Sequence, residues 1–585
     1  MKRIVIIFYF LFLALINVFP QSEITSAELK DWIYYLASDD KKGRFPCTPE
    51  SKQIADFLRQ DYINNGLELL ADSGFQYFQI NIGAQLEGDN YFIIGRRKLK
   101  LGKDYMPFAF SDTGYFYTDK VVFVGYGFDI EEGDSVRWND YARVDVKDKW
   151  VMILRGMPDN PPVDKKILSK YKSERIKVNT AYKHGAAGVI FINPPGDNQD
   201  KLLPFTLPRF VAMAHIPVIQ LTHKRAEKIL HQSLDDIDKQ LKKNGTYSFD
   251  VKTQIRAAVH YRIVNCKTQN VVALLPGNDP RLSGHYIIVG AHYDHLGMGG
   301  YESGSRKPDT IAVHNGADDN ASGTAGVMEL MEYLASIRDS LGRSIIFVNF
   351  GAEERGLLGS KYFVEHLPVP KDSIDLMINM DMIGKNKYEA SFMGVGTARE
   401  LPDIFHSLTL PDTTLKIKTV KQAFGGSDHA SFIDAGIPAI FVYASTGEGY
   451  HTPEDDPQYI NYDGEALILD YIAELIKKVA DYPGKFHFVK QKDKSRGGYG
   501  GMKVRLGVRP AFDYSGKGLK VDAVVDGGVA DKAGIQKGDV IVQIGNTTVE
   551  NIYDYMGALS KFKPGDTTSI IVRRGDKTIE FKVKF

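Results

Sequence analysis

Five short segments collect the side chains that do acid–base and metal chemistry, and four of them directly follow apolar runs. The first is Ala291-His292-Tyr293-Asp294-His295, ending the run that holds Ile287 and Val289. In extended chain His292 and Asp294 project to one side and His295 to the other. An imidazole thus stands beside a carboxylate able to fix its tautomer, although a solvated pair at a strand end would read the same in isolation. The second, His314 to Gly323, sets Asp318 and Asp319 just before a helical pattern, where a carboxylate either caps the helix or bridges two cations. The third, Phe350 to Gly356, holds Glu353 and Glu354. Neighbours on an extended backbone part to opposite sides, so one can bind metal while the other faces a water to be activated. The fourth is the lone carboxylate Asp381 between Met380 and Met382, and the fifth is the loop Tyr450-His451-Thr452-Pro453-Glu454-Asp455.

Counted together, His292 and His451 with Asp318, Glu354 and Asp381 form a symmetrical donor set. With Asp318 bridging, each of two metals receives one imidazole, one terminal carboxylate and one shared oxygen. A position stays open for water on each, as a catalytic zinc site requires. Nitrogen and oxygen donors without thiolate suit zinc, cobalt or manganese, and imidazole favours zinc. Other groups nearby keep plainer readings. His295 points away on strand geometry, His429 braces the site, and His314 stands within reach of a substrate. The sequon Asn320-Ala321-Ser322 is discounted, because a glycan there would block the site.

These segments resemble the co-catalytic di-zinc aminopeptidases, metallopeptidase family twenty-eight. The family pattern falls at His292/Asp294, Gly316 to Gly323, Glu353 to Ser360, Asp381-Met382 and His451-Thr452, and Ser427-Asp428-His429 resembles its Ser-Asp-His element. The resemblance implies two zinc ions per chain: Asp318 as the bridge, His292 and Asp381 on one ion, Glu354 and His451 on the other. It implies Asp294 as support for His292 and Glu353 as general base, in hydrolysis of N-terminal residues from peptides by a metal-activated water. A carboxypeptidase, dipeptidase or glutaminyl cyclase of the same superfamily, and a non-catalytic receptor or scaffold on the fold, are the rival readings.

Such residues need a rigid frame. From about Tyr261 to Asp481 apolar strands alternate with amphipathic helices, the texture of an α/β layer around a mostly parallel sheet. Ligands bind such sheets beyond the carboxyl ends of the strands, which is where these segments fall. Earlier, Ile54, Phe57, Leu58 and Tyr62 mark a helix face that stops near Gly66. From Val121 the pattern turns β-rich. Asn179, Ala181, Tyr182 and Gly185 to Val189 resemble an inserted protease-associated domain.

Near the end, Lys490 to Gly501 reads as a charged, glycine-rich linker. The tail resembles a bacterial PDZ domain, with Leu506, Gly507 and Val508 in the loop that takes a peptide carboxylate and Arg574-Gly575-Asp576 in a hairpin turn. The expected organisation is a signal peptide (1–21), a peptidase domain in two parts (22–108 and 252–487), an inserted domain (109–251), a linker (488–502) and the PDZ domain (503–585).

Composition sets the outer bounds. The 585 residues exceed one ordinary core, and Lys+Arg and Asp+Glu balance at 73 each, so no global field points to nucleic acid or an anionic membrane. The partners expected are peptide or protein substrates, with peptide C-termini at the PDZ domain. Lys2 and Arg3, the apolar stretch Ile4 to Phe19 and the polar break at Ser22 have the order of a secretory signal, which is short for a membrane span. An uncleaved anchor is the alternative to an exported protein, periplasmic or secreted and free of the membrane after cleavage. The two cysteines, Cys47 and Cys266, leave pairing and two buried thiols both open.

Overall fold

A computed structural model describes residues 23–585 other than 133–135, 162, 208–212, 410–412, 424–425, 491–503, 512–513, 515, 525–526 and 551. The expected signal segment and the glycine-rich stretch Arg496 to Gly501 lie outside the described residues. Among the described residues, no helix is long and apolar enough to cross a membrane.

The site is carried by a nine-stranded sheet. Its central strands Ser344–Phe350, Tyr286–His292, Ile374–Met380 and Ala439–Tyr443 are parallel neighbours in that order. Both faces are covered, which is why these strands are continuous apolar runs. Ile287, Val289, Ile345 and Phe347 pack against the face covered by the helices Gly323–Ser336 and Tyr462–Ala480. Ile288, Ile346 and Val348 alternate to the other face and meet Phe363 and Phe432. The long strand Tyr261–Leu275 flanks this core antiparallel and pairs along most of its length with Phe75–Leu86.

Helix ends follow local chemistry. Thr48 accepts a hydrogen bond from Ser51 N at the start of Pro49–Asn64, with proline at the first turn where its missing N–H costs nothing. Tyr462–Ala480 is capped by Asn461, opens with Asp463 and Glu465 and closes with Lys477 and Lys478, matching the helix dipole at both ends.

The second sheet has eight strands, drawn from residues between Tyr91 and Val259. That body therefore reaches outward past both ends of the expected 109–251. The strands Gly114–Val124, Trp150–Leu154 and Gly188–Ile192 lie side by side in it and run parallel. Helices such as Glu174–Lys183 and Leu234–Asn244 accompany them. The tail is a six-stranded unit in which Arg574 to Lys577 close the expected hairpin, here between two eight-residue strands.

Covalent and polar links join segments distant in sequence. Cys47 and Cys266 form a disulfide, tying the start of the chain to the Tyr261–Leu275 strand across 219 residues of sequence. Asp554 of the tail accepts from Lys183 Nζ at 2.8 Å and from Asn179 Nδ2 at 3.1 Å, both on the Glu174–Lys183 helix of the second body.

Candidate active site

His292 closes its strand, and its Nδ1 lies 3.1 Å from the carbonyl oxygen of Asp294. A carbonyl only accepts, so Nδ1 donates to it and Nε2 is the nitrogen turned toward the site. His451 repeats the arrangement, with Nδ1 3.1 Å from Gly304 O. The two Nε2 atoms face carboxylates. His292 Nε2 is 3.5 Å from Asp319 Oδ1, 3.5 Å from Asp381 Oδ1 and 3.9 Å from Glu353 Oε2. His451 Nε2 is 3.2 Å from Asp319 Oδ2 and 3.1 Å from Glu354 Oε1. Asp319 thus stands between the imidazoles, one oxygen toward each.

This is where structure and sequence reading part. Asp318, expected as the bridge, faces away. Its carboxylate accepts from Gly384 N at 2.8 Å, Lys385 N at 3.0 Å and the Ser445 hydroxyl, leaving it occupied in the loop wall. The chain from Ala317 to Ser322 is not a regular helix start: Asp319 and Asn320 have non-helical dihedrals, so neither helical nor strand periodicity tells which aspartate faces the site. His295, expected to point away, stands inside it, with Nδ1 3.0 Å from Glu354 Oε1 and 3.9 Å from Asp319 Oδ2. The strand ends at His292, so its alternation does not extend to His295. No signal in the sequence marks that ending.

The remaining expected residues fall as follows. Glu353 and Glu354 do separate, but through a turn: the strand ends at Phe350 and Ala352 has a left-handed φ of 58°. Asp294 fixes that turn, accepting from Glu353 N at 2.9 Å and Glu354 N at 3.3 Å. Its support of His292 comes through its main-chain carbonyl, the carboxylate lying 3.8 Å from Nδ1. His429 is buried and stacks on Phe441, a wall of the cleft. His314 is buried, with Nε2 2.8 Å from the Ser305 hydroxyl. Asn320 has its amide used by Met380 O and Gly323 N. In the tail, the Leu506 side chain lies in the domain core and its carbonyl accepts from Ala530 N, while Gly507 has a left-handed φ of 80° ahead of Val508.

The electrostatics call for positive charge. Burial alone would lower His292, yet the carboxylates of Glu353, Asp381 and Asp319 hold it well above the usual imidazole range. His451, likewise opposed by burial, is raised to about 10 by Glu354 and Asp319. Burial drives Glu353 well above the usual carboxylate range, reinforced by Glu354, Asp428 and Asp381 and resisted by His292. Burial also lifts Asp428 to about 7. Buried like charges are costly unless a cation joins them.

The donor set fits a metal. His292 Nε2 is buried with no hydrogen-bond partner, and His292, Glu353 and Asp381 offer donor atoms within 4.8 Å of one another, as do His295, Asp319 and Glu354. Nitrogen and oxygen donors of this kind suit zinc. The cluster opens on a cleft of about 480 Å³, walled by Met382, Met393, Phe441, Tyr443 and Tyr450, with Arg306 also lining it.

A buried cluster of imidazoles and carboxylates beyond the carboxyl ends of a parallel sheet defines a metal-site α/β class. Residues 270–476 match the model of peptidase family M28, and residues 492–585 match that of the PDZ domain. The first match takes in the metal-donor cluster and the second takes in the tail. It is 26% identical over 331 residues to aminopeptidase YwaD of Bacillus subtilis (strain 168), covering 55% of this chain and 63% of that protein. It is 29% identical over 214 residues to leucine aminopeptidase 1 of Fusarium vanettenii, covering 33% of this chain and 50% of that one. The chain thus spans less than two thirds of the length of these relatives. Among solved structures, a zinc aminopeptidase from Bacillus subtilis aligns with a TM-score of 0.49 at 20% identity, over 81% of this chain and 97% of that one.

Proposed function

We propose that the protein is an exported, zinc-dependent aminopeptidase that removes N-terminal residues from peptides using two metal ions. One observation carries the reading: the Nε2 atoms of His292 and His451 both face Asp319, which offers one oxygen to each. The names of the Bacillus and fungal relatives support it. Asp319 would bridge the ions, His292 and Asp381 would complete one site, and Glu354 and His451 the other. His295 would donate to Glu354 and hold its orientation, the role of a group behind a ligand. When bound, zinc lowers the pKa of a coordinated water and polarises the scissile carbonyl.

The chain's own residues supply the rest. Glu353, buried 3.9 Å from His292 Nε2, accepts a proton from the attacking water in its carboxylate form and returns it to the leaving amine. Asp294 keeps the Glu353–Glu354 turn in place through its two amide contacts. The apolar walls Met382, Met393 and Phe441 favour a substrate with an apolar first side chain. The Cys47–Cys266 disulfide supports export, since such bonds persist in oxidising compartments.

Arg306 favours a second reading on the same metal centre. It is exposed and lines the cleft, where a guanidinium could take the carboxylate of a short peptide, as a dipeptidase requires. A panel of aminoacyl reporters, their N-acetylated forms and free dipeptides decides between the two. The aminopeptidase reading expects acetylation to remove most activity and C-terminal amidation of a dipeptide to change little. Equal cleavage of blocked and free reporters would overturn it, and strict dependence on a free C-terminus would favour the dipeptidase.

A further inference from the structure

The turn at Lys42, Gly43 and Arg44 lies far from the metal donors in sequence and against them in space. All three residues are left-handed, with φ of 44°, 67° and 51°. Such a run is unfavourable for the two that are not glycine, so surrounding contacts must hold it. Gly43 admits no side chain, because a Cβ would meet Gly297 O at 2.4 Å and His314 O at 2.6 Å. Its carbonyl accepts from Gly297 N at 2.9 Å.

Arg44 is 1% exposed, and its guanidinium is spent on backbone carbonyls. Nε donates to Tyr293 O at 2.9 Å and Nη2 to Gly316 O at 2.8 Å, while Nη1 donates to Leu36 O and Asn315 O. Tyr293 sits between His292 and Asp294, and Gly316 begins the loop that presents Asp319. One side chain therefore spans the two loops whose spacing sets the distance from His292 to Asp319. Its charge also faces Asp319, Asp455, Asp294 and Glu354 from behind, and burial lowers it only to about 10, so it remains a cation at neutral pH.

We propose that Arg44 is a positioning residue of the metal centre, holding the His292 and Asp319 loops at ligand spacing and supplying fixed positive charge behind their carboxylates. This rests on the metal reading of the site. Lysine cannot replace it, because one ammonium cannot reach four carbonyls on three segments in the planar geometry of a guanidinium.

The test compares zinc binding by full-length wild type, Arg44→Lys and Arg44→Met. Affinity is measured by competition with a chelating dye, and the rise in melting temperature on zinc addition is measured for each protein against its own metal-free form. Loss of general stability cancels in that difference, whereas loss of a ligand arrangement does not. The expected result is zinc affinity 10- to 100-fold weaker, a smaller zinc-induced rise in both variants, and a fall in kcat with KM little changed. Arg44→Lys should lose less than Arg44→Met. If the variants melt lower than wild type in both forms yet keep its zinc affinity and zinc-induced rise, Arg44 is merely structural and the proposal is overturned. Wild type that binds no zinc would overturn the metal reading itself, and this proposal with it. A variant too unstable to purify leaves the other to decide.

Discussion

Glu353 and Glu354 are adjacent in sequence, yet one approaches His292 and the other His451. Glu353→Gln is expected to lower turnover by about 10²–10⁴-fold, the usual contribution of a general base, with zinc content unchanged by metal analysis. Glu354→Gln should instead lose zinc. The aspartate pair gives the sharper contrast. Asp319→Asn should weaken both metal positions, while Asp318→Asn should keep them, because an amide oxygen still accepts from Gly384 N and Lys385 N. Asp318→Ala leaves those buried donors without a partner and should cost about 1–3 kcal/mol of stability in a denaturant melt. Residue types and order were legible in the sequence, since His292, Glu353, Glu354, Asp381 and His451 all lie at the cluster. The choice between Asp318 and Asp319 was not, because it depends on the dihedrals of an irregular loop. His295 was misread because alternation was carried past a strand's end.

The elements show the same division. Unbroken apolar runs announced the central parallel strands, since burial on both faces leaves a direct mark on composition. The turns after those strands bear the chemistry and leave little pattern: Ala352 and His451 are left-handed without being glycine. Arg44 illustrates the limit, since its carbonyl partners are backbone atoms that no side-chain pattern records. The disulfide was equally open in the sequence, because two distant cysteines carry no information about distance. Replacing both Cys47 and Cys266 with serine is expected to lower stability by about 2–5 kcal/mol, read from the denaturant midpoint. An unchanged midpoint would show that the Tyr261–Leu275 strand and the N-terminal segment hold together without it.

At the scale of the whole molecule, the tail is packed as well as tethered: Asp554 is buried against Lys183 and Asn179 of the second body. Lys537 adds a looser pair to Glu365 of the peptidase part, at 3.7 Å. Contacts of this kind join ordinary surface residues and have no signature in either domain's own pattern. Lys183→Glu sets like charges together and should loosen the tail, seen as a larger radius of gyration in small-angle scattering. Hydrolysis of a short reporter should stay unchanged, because among the described residues none of the tail lines the cleft. The most direct test of the account is a count of tightly held zinc per chain, taken with activity after chelation and stepwise zinc return. Two equivalents, with Asp319→Ala holding fewer and activity returning only as zinc is restored, are the predicted result. Full activity in a chain freed of metal, or a wild-type chain that retains no zinc, would contradict it.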